Sequence, residues 1–135
     1  MFQKIIIVGN LGGDPEMRYT PSGQAVTNFS VATNRQYTSS DGQKVKETVW
    51  FRVSAWNKQA DACNNYLRKG SKVLVEGRLV PDSATGGPRT FTRNDGTTGA
   101  SFEINASTVR FLDPRGEPSG GNVLAEMEDD EEIPF

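Results

Sequence analysis

The chain has 135 residues, 35% of them hydrophobic, with one cysteine and no histidine. That length supports a single domain with a modest core; the composition leaves no disulfide framework, no histidine for acid–base or metal chemistry, and too few cysteines for a Cys-cluster zinc site. The net charge of −2 conceals an asymmetry, because residues 1–112 carry 14 Lys and Arg against 9 Asp and Glu while residues 113–135 carry Arg115 against 8 acids.

A basic body followed by an acidic tail suits a body that meets a polyanion, and equally a tail that serves only solubility. No apolar run approaches the ~18 residues that a membrane span needs. The opening "MFQKIIIVGNLGG" has neither a basic leader, a long apolar stretch nor a cleavage site, so no signal peptide is expected. The lone Cys63 favours a reducing cytoplasm as the expected location.

In chain order, residues 2–11, "FQKIIIVGNL", are β-branched and apolar and predict a strand. Residues 12–24, dense in Gly and Pro, read as a loop. Residues 25–35, "AVTNFSVATNR", partly alternate, with Ala25, Phe29 and Val31 on one face. Asp41-Gly42 predicts a hairpin turn, and 45–56, "VKETVWFRVSAW", is the clearest strand. A helix follows, with Asn57 as its side-chain cap and Ala60, Cys63 and Leu67 as its buried stripe. Arg68 and Lys69 suit its negative end, and Gly70 suits a left-handed stop. Residues 72–80 return to strand, 81–99 form a long loop or loose hairpin, and 101–112 are the last strand. Its apolar phase shifts between Ala106 and Val109, which predicts a bulge.

Three strands, one helix and two strands fit an all-β OB-fold, a five-stranded Greek-key barrel with the helix between strands three and four, although other small barrels share that order. The domain spans 1–112. Residues 113–125 read as a flexible linker and 126–135 as a disordered acidic tip.

Side chains alternate across a strand, which splits 45–56 into two columns. Val45, Glu47, Val49, Phe51, Val53 and Ala55 form a largely apolar column. Lys46, Thr48, Trp50, Arg52, Ser54 and Trp56 form the other, with the only two tryptophans in the chain. An apolar contact such as a subunit interface would account for either indole alone. Both on one face, with Arg52 between them and Lys46 beside, point to nucleic acid: flat rings stack on bases and cations meet phosphates. Duplex bases are already stacked on one another, so unpaired strands are the expected ligand.

Tyr37 lies at the hairpin edge. Strict alternation puts it on the face of Phe29, so a stacking role there needs a twist or bulge. Phe91, between Arg89 and Arg93, is either a loop anchor or a further platform. Arg35, Lys58, Lys69 and Arg78 are candidate phosphate contacts, or ordinary solvated charges.

The stretches "IIIVGNLGGDPEMRYTPSGQAVTNFSVATNR", "WFRVSAWNK", "YLRKGSKVLVEGRL" and "DDEEIPF" resemble bacterial-type single-stranded DNA-binding proteins. The resemblance implies an OB-fold and a homotetramer that wraps single-stranded DNA without sequence preference. By position it assigns stacking to Trp50, Trp56 and Tyr37, makes Phe91 a fourth candidate, and places Arg52 and Lys58 on the binding face. The linker is shorter than the family often carries. Cys63 matches no functional position and reads as a small core thiol.

Solubility explains the six acids of 126–135 but not an apolar end. A recognition peptide explains both: Phe135 fills a pocket, its carboxylate and Asp129, Asp130, Glu131 and Glu132 meet a basic rim, and Ile133 and Pro134 shape the tip. The resemblance implies DNA replication, recombination and repair proteins as the partners, and association with the nucleoid.

No enzyme activity and no cofactor are expected. Asp14 and Glu16 could hold a metal through carboxylates alone, but Asp14-Pro15 reads better as turn chemistry. The main alternative is an RNA-binding OB module of cold-shock type, since stacking alone does not separate RNA from DNA. A sugar-binding module would use the indoles but would not need the cations around them.

Overall fold

A computed structural model describes residues 1–113. Its elements are β1 (Ile5–Leu11), β2 (Glu16–Tyr19), β3 (Ala25–Thr38), β4 (Lys44–Trp56), α1 (Lys58–Tyr66), β5 (Lys72–Val80), β6 (Arg89–Thr92) and β7 (Thr98–Phe111). β1 pairs with β5, β5 with β7, β7 with β4, β4 with β3, and β3 returns to β1. These five strands therefore close a ring, with the helix between its third and fourth members in chain order: the OB-fold expected from the sequence. β4 and β7 run parallel where they meet, Phe51–Ser54 against Phe102–Asn105, and the other pairs are antiparallel. The expected linker, 113–125, and acidic tip, 126–135, lie outside the described residues, except for Asp113.

One inward-facing column per strand fills the ring. Ile7, Leu11, Phe29, Val31, Val53, Ala55, Val73, Val75 and Ile104 pack together with Cys63 and Leu67 from the helix side. Closing so small a barrel brings backbones together at glycine. A Cβ on Gly77 would stand 2.1 Å from the Asn105 carbonyl oxygen, and one on Gly9 would stand 2.3 Å from that of Ala32. Gly77 adjoins the expected bulge: it pairs with Ala106 while Glu76 pairs with Thr108, so Ser107 is the extra residue of β7. The hydroxyl of Ser107 donates to the Glu76 carbonyl at 3.1 Å, and its own carbonyl accepts from Gln59 Nε2 at 2.8 Å. The bulge thus ties α1 to the barrel.

The helix buries Ala60, Cys63 and Leu67 as expected, and Thr27 donates to the Ala60 carbonyl at 2.7 Å beneath it. Its ends differ from the expectation. Asn57 makes no side-chain cap. It takes a positive φ of 58° and donates its backbone N–H to the Ala25 carbonyl at 2.9 Å. A sharp exit from β4 therefore governs the residue, and this requirement overrides capping. The helix stops at Tyr66 because Leu67 is already extended. Arg68 and Lys69 lie past its last turn, and Gly70, with φ 90°, serves the turn into β5.

Two short strands are added to the expected set. β2, inside the stretch read as a loop, pairs with β3, and β6 forms a hairpin with β7. Three hairpins use the same turn, "TPSGQ", "SSDGQ" and "RNDGT". In each, the first residue's N–H bonds to the fifth's carbonyl, as at Ser39 and Gln43, and the fourth is glycine at φ 85–89°. This is the three-residue hairpin loop whose left-handed position glycine fills without penalty. The Asp41 and Asp95 carboxyls accept from the neighbouring Ser39 and Thr97 side chains and from local backbone N–H groups. Both pKa values are held below the ordinary carboxylate value as a result.

Candidate nucleic-acid interface

The core column of β4 points inward, so its alternate column must face out. Trp50 is 53% exposed and Trp56 36%, with Arg52 exposed between them. Neither indole lies in the barrel interior. Each is fixed by a different device. Trp50 packs on Gly12, where a Cβ would stand 2.5 Å from the six-membered part of the ring; the missing side chain is what lets the indole approach there. Trp56 donates through Nε1 to Asn105 Oδ1 of β7 at 3.2 Å.

The neighbouring strands extend this face. Register places Arg18 of β2, Val26 of β3 and Trp56 of β4 in one row. Val26 is 1% exposed yet stands outside the core cluster, flanked by the Arg18 and Trp56 side chains on the outer surface. Arg52 lies across from Ser30 on one side and Glu103 on the other. Arg78 of β5 pairs with Asn105, the acceptor for Trp56.

Two surface concavities meet at Arg52 and Glu103. One, of about 470 Å³, is bordered by Trp50, Arg52, Phe91 and Ser101. The other, of about 360 Å³, is bordered by Arg18, Arg52, Trp56, Arg89 and Asn105. Trp50, Arg52, Trp56, Arg89 and Phe91 are therefore brought to one continuous surface. Phe91 is not tucked against the barrel: it is 48% exposed and lies over Gly99 of its own hairpin, with a hypothetical Gly99 Cβ 2.5 Å from its ring. The Arg93 guanidinium stacks on it at 5.4 Å and donates to the Thr98 carbonyl at 3.0 Å.

The remaining predicted residues are more scattered. Lys46, Arg35 and Tyr37 sit on the part of the β3–β4 hairpin that projects past the barrel and is exposed along most of its length. The register runs without a break from Val26–Trp56 to Thr38–Lys44, so no bulge turns Tyr37 toward the indoles. By the pleat it belongs to the other side of this ribbon, where Arg35 stacks on its ring at 4.9 Å and bonds to Glu47 at 3.3 Å. Lys58, the first residue of α1, is exposed two positions beyond Trp56. Lys69 lies at the far end, its backbone N–H bonded to Asp14 Oδ1 at 2.8 Å. Asp14 thus ties two loops together over a long sequence distance, a role that the local turn reading of Asp14-Pro15 did not include. Among the described residues no group of three or more His, Cys, Asp and Glu could hold a metal.

Sequence reading passed over Arg18, Gly12, Gly99, Asn105 and Glu103. Arg18 lay in the assumed loop. The others show their part only when β4, β7 and the loop before β2 are side by side. Together the surface offers flat rings about two residues apart from cations, an arrangement that can stack bases and neutralise phosphates at once.

The family model for the single-strand binding protein family matches residues 2–112. The single-stranded DNA-binding protein of Neisseria meningitidis serogroup A is 39% identical over 118 residues, covering 87% of this chain and 64% of that protein. That of Wolinella succinogenes is 38% identical over 121 residues, covering 90% and 70%. Single-stranded DNA-binding protein 1 of Chlorobaculum tepidum is 38% identical over 140 residues, covering 90% and 86%. The chain thus spans a little under two thirds of the Neisseria protein's length.

Proposed function

The chain belongs to the single-strand binding protein family, and from that premise we propose that it binds and protects single-stranded DNA without sequence preference, with no catalytic turnover. The observation that carries this reading is the pair of exposed indoles, Trp50 and Trp56, on the outer column of one strand with Arg52 between them. Stacking contributes about 1–3 kcal/mol per base. Phosphates meet Arg18, Arg52, Arg78 and Arg89 near the indoles, and Lys46, Lys58, Lys69, Arg35 and Arg93 farther out. Phe91 adds a third platform from the β6–β7 hairpin. Tyr37 offers a fourth to a strand that continues around the β3–β4 hairpin.

The proposal extends to assembly and recruitment. The family reading makes the working unit a homotetramer. Residues 129–135 then serve as a docking peptide for proteins of DNA replication, recombination and repair, with several tips per assembly raising avidity. Among the described residues no helix is long and apolar enough to cross a membrane, in keeping with a cytoplasmic role on DNA.

Intrinsic tryptophan fluorescence titrated with oligo-dT, duplex DNA and oligo-U over a salt series tests the reading. Strong quenching by oligo-dT with little by duplex is expected, and saturation should weaken as salt rises. Equal quenching by duplex would remove it, and a preference for oligo-U would transfer the face to RNA.

A further inference from the structure

Three carboxylates stand along the outward face, the wrong sign for a phosphate track: Asp14 and Glu16 beside Gly12 and Trp50, and Glu103 next to Arg52. Glu103 borders the two concavities described above, one beside each indole, and is the sole carboxylate lining either of these two. Its Oε2 accepts from the Ser101 hydroxyl at 3.0 Å and faces Arg89 Nε at 3.9 Å. Oε1 has no partner among the described residues. A fixed anion here repels phosphate and favours hydrogen-bond donors at this point of the face.

The neighbouring amides sharpen this. Asn28 Oδ1 is occupied by the Ser54 hydroxyl at 2.7 Å and Asn105 Oδ1 by Trp56 Nε1 at 3.2 Å. Both amides are thus left to present their N–H groups, and Glu103 Oε1 is the strong acceptor remaining in these two concavities. An unpaired cytosine carries an exocyclic amine donor at C4, where uracil and thymine carry a carbonyl acceptor. We propose that Glu103 is a base-edge reader, accepting from the amine of a cytosine stacked beside it and disfavouring a C4 carbonyl. A protein that binds any single strand would thereby carry a built-in compositional bias at one position. The inference rests on the single-strand reading above and adds to it a residue that discriminates.

Oligo-dC and oligo-dU of equal length differ at that edge without a methyl group to confuse them. Their affinities for the full chain, wild type and Glu103→Gln, are compared by fluorescence titration at a pH where cytosine is neutral. The charge-assisted bond to the amine weakens on amidation and the repulsion from the carbonyl is relieved, so the dC-to-dU affinity ratio should fall about fivefold. Ser101→Ala, which frees the carboxylate from its anchor, should lower the ratio in the same direction by less. A uniform gain for both oligonucleotides, or an unchanged ratio, would overturn the proposal and leave Glu103 a repelling charge. Failure of the wild type to bind either oligonucleotide would instead strike the single-strand reading itself.

Discussion

Single residues divide into those whose role shows in the sequence and those whose role depends on a distant neighbour. Trp50 and Trp56 are legible because alternation alone separates their column from Val53 and Ala55. Gly12 is not: nothing in "NLGGD" announces that an indole from residue 50 rests on it. Cys63 is legible as a core thiol, and the fold gives it a measurable consequence. Burial without a polar partner pushes its pKa from 9.0 up to about 11. Between those values the unfolded chain has lost a proton that the folded chain retains. Ionisation therefore favours unfolding there: stability is full below the lower value, falls as pH rises, and levels once the folded thiol also ionises. The effect is on the order of 2 kcal/mol. Urea midpoints at about pH 8 and pH 10.5 should show a larger alkaline loss for wild type than for Cys63→Ala.

At the scale of elements, the periodic strands 5–11, 45–56 and 72–80 are readable because one face of each is buried. β2 and β6 are hidden by their brevity and by exposure that is complete in β6 and broken only at Met17 in β2, which removes the hydrophobic alternation. Their turns were nonetheless written in the chain: "TPSGQ" and "RNDGT" repeat the glycine placement of "SSDGQ". Asn57 failed as a cap because the β4–α1 corner makes a demand that no local pattern displays. The bulge at Ser107 succeeded because a phase shift is visible in one strand. Closure makes the same region intolerant. Gly77→Ala should lower stability by about 2–3 kcal/mol, since the backbone carbonyl of Asn105 blocks the added carbon and only strand separation relieves it. Urea denaturation measures this, and a near-neutral result would mean that the two strands part easily.

For the whole molecule, charge matters as a distribution. The basic body and the acidic tail are covalently joined, and on the proposed reading the tail would compete with DNA for the same cations, over a Debye length of about 10 Å at 0.1 M salt. Removal of residues 126–135 should tighten oligo-dT binding a few-fold at low salt and abolish capture of tail-binding proteins. Equal affinities of the full and shortened chains at low salt would dismiss the competition.

The hydrogen bond from Trp56 to Asn105 links residues 49 positions apart, across the seam where β4 and β7 lie parallel. A chain whose seam is still open possesses both rings but no platform. A ligand that lies across the join acts as a clasp, since any opening must first release it, and its grip is added to the protein's resistance to heat and proteases. The same indole also reports on refolding, since its Nε1–H finds Asn105 only once that seam is shut.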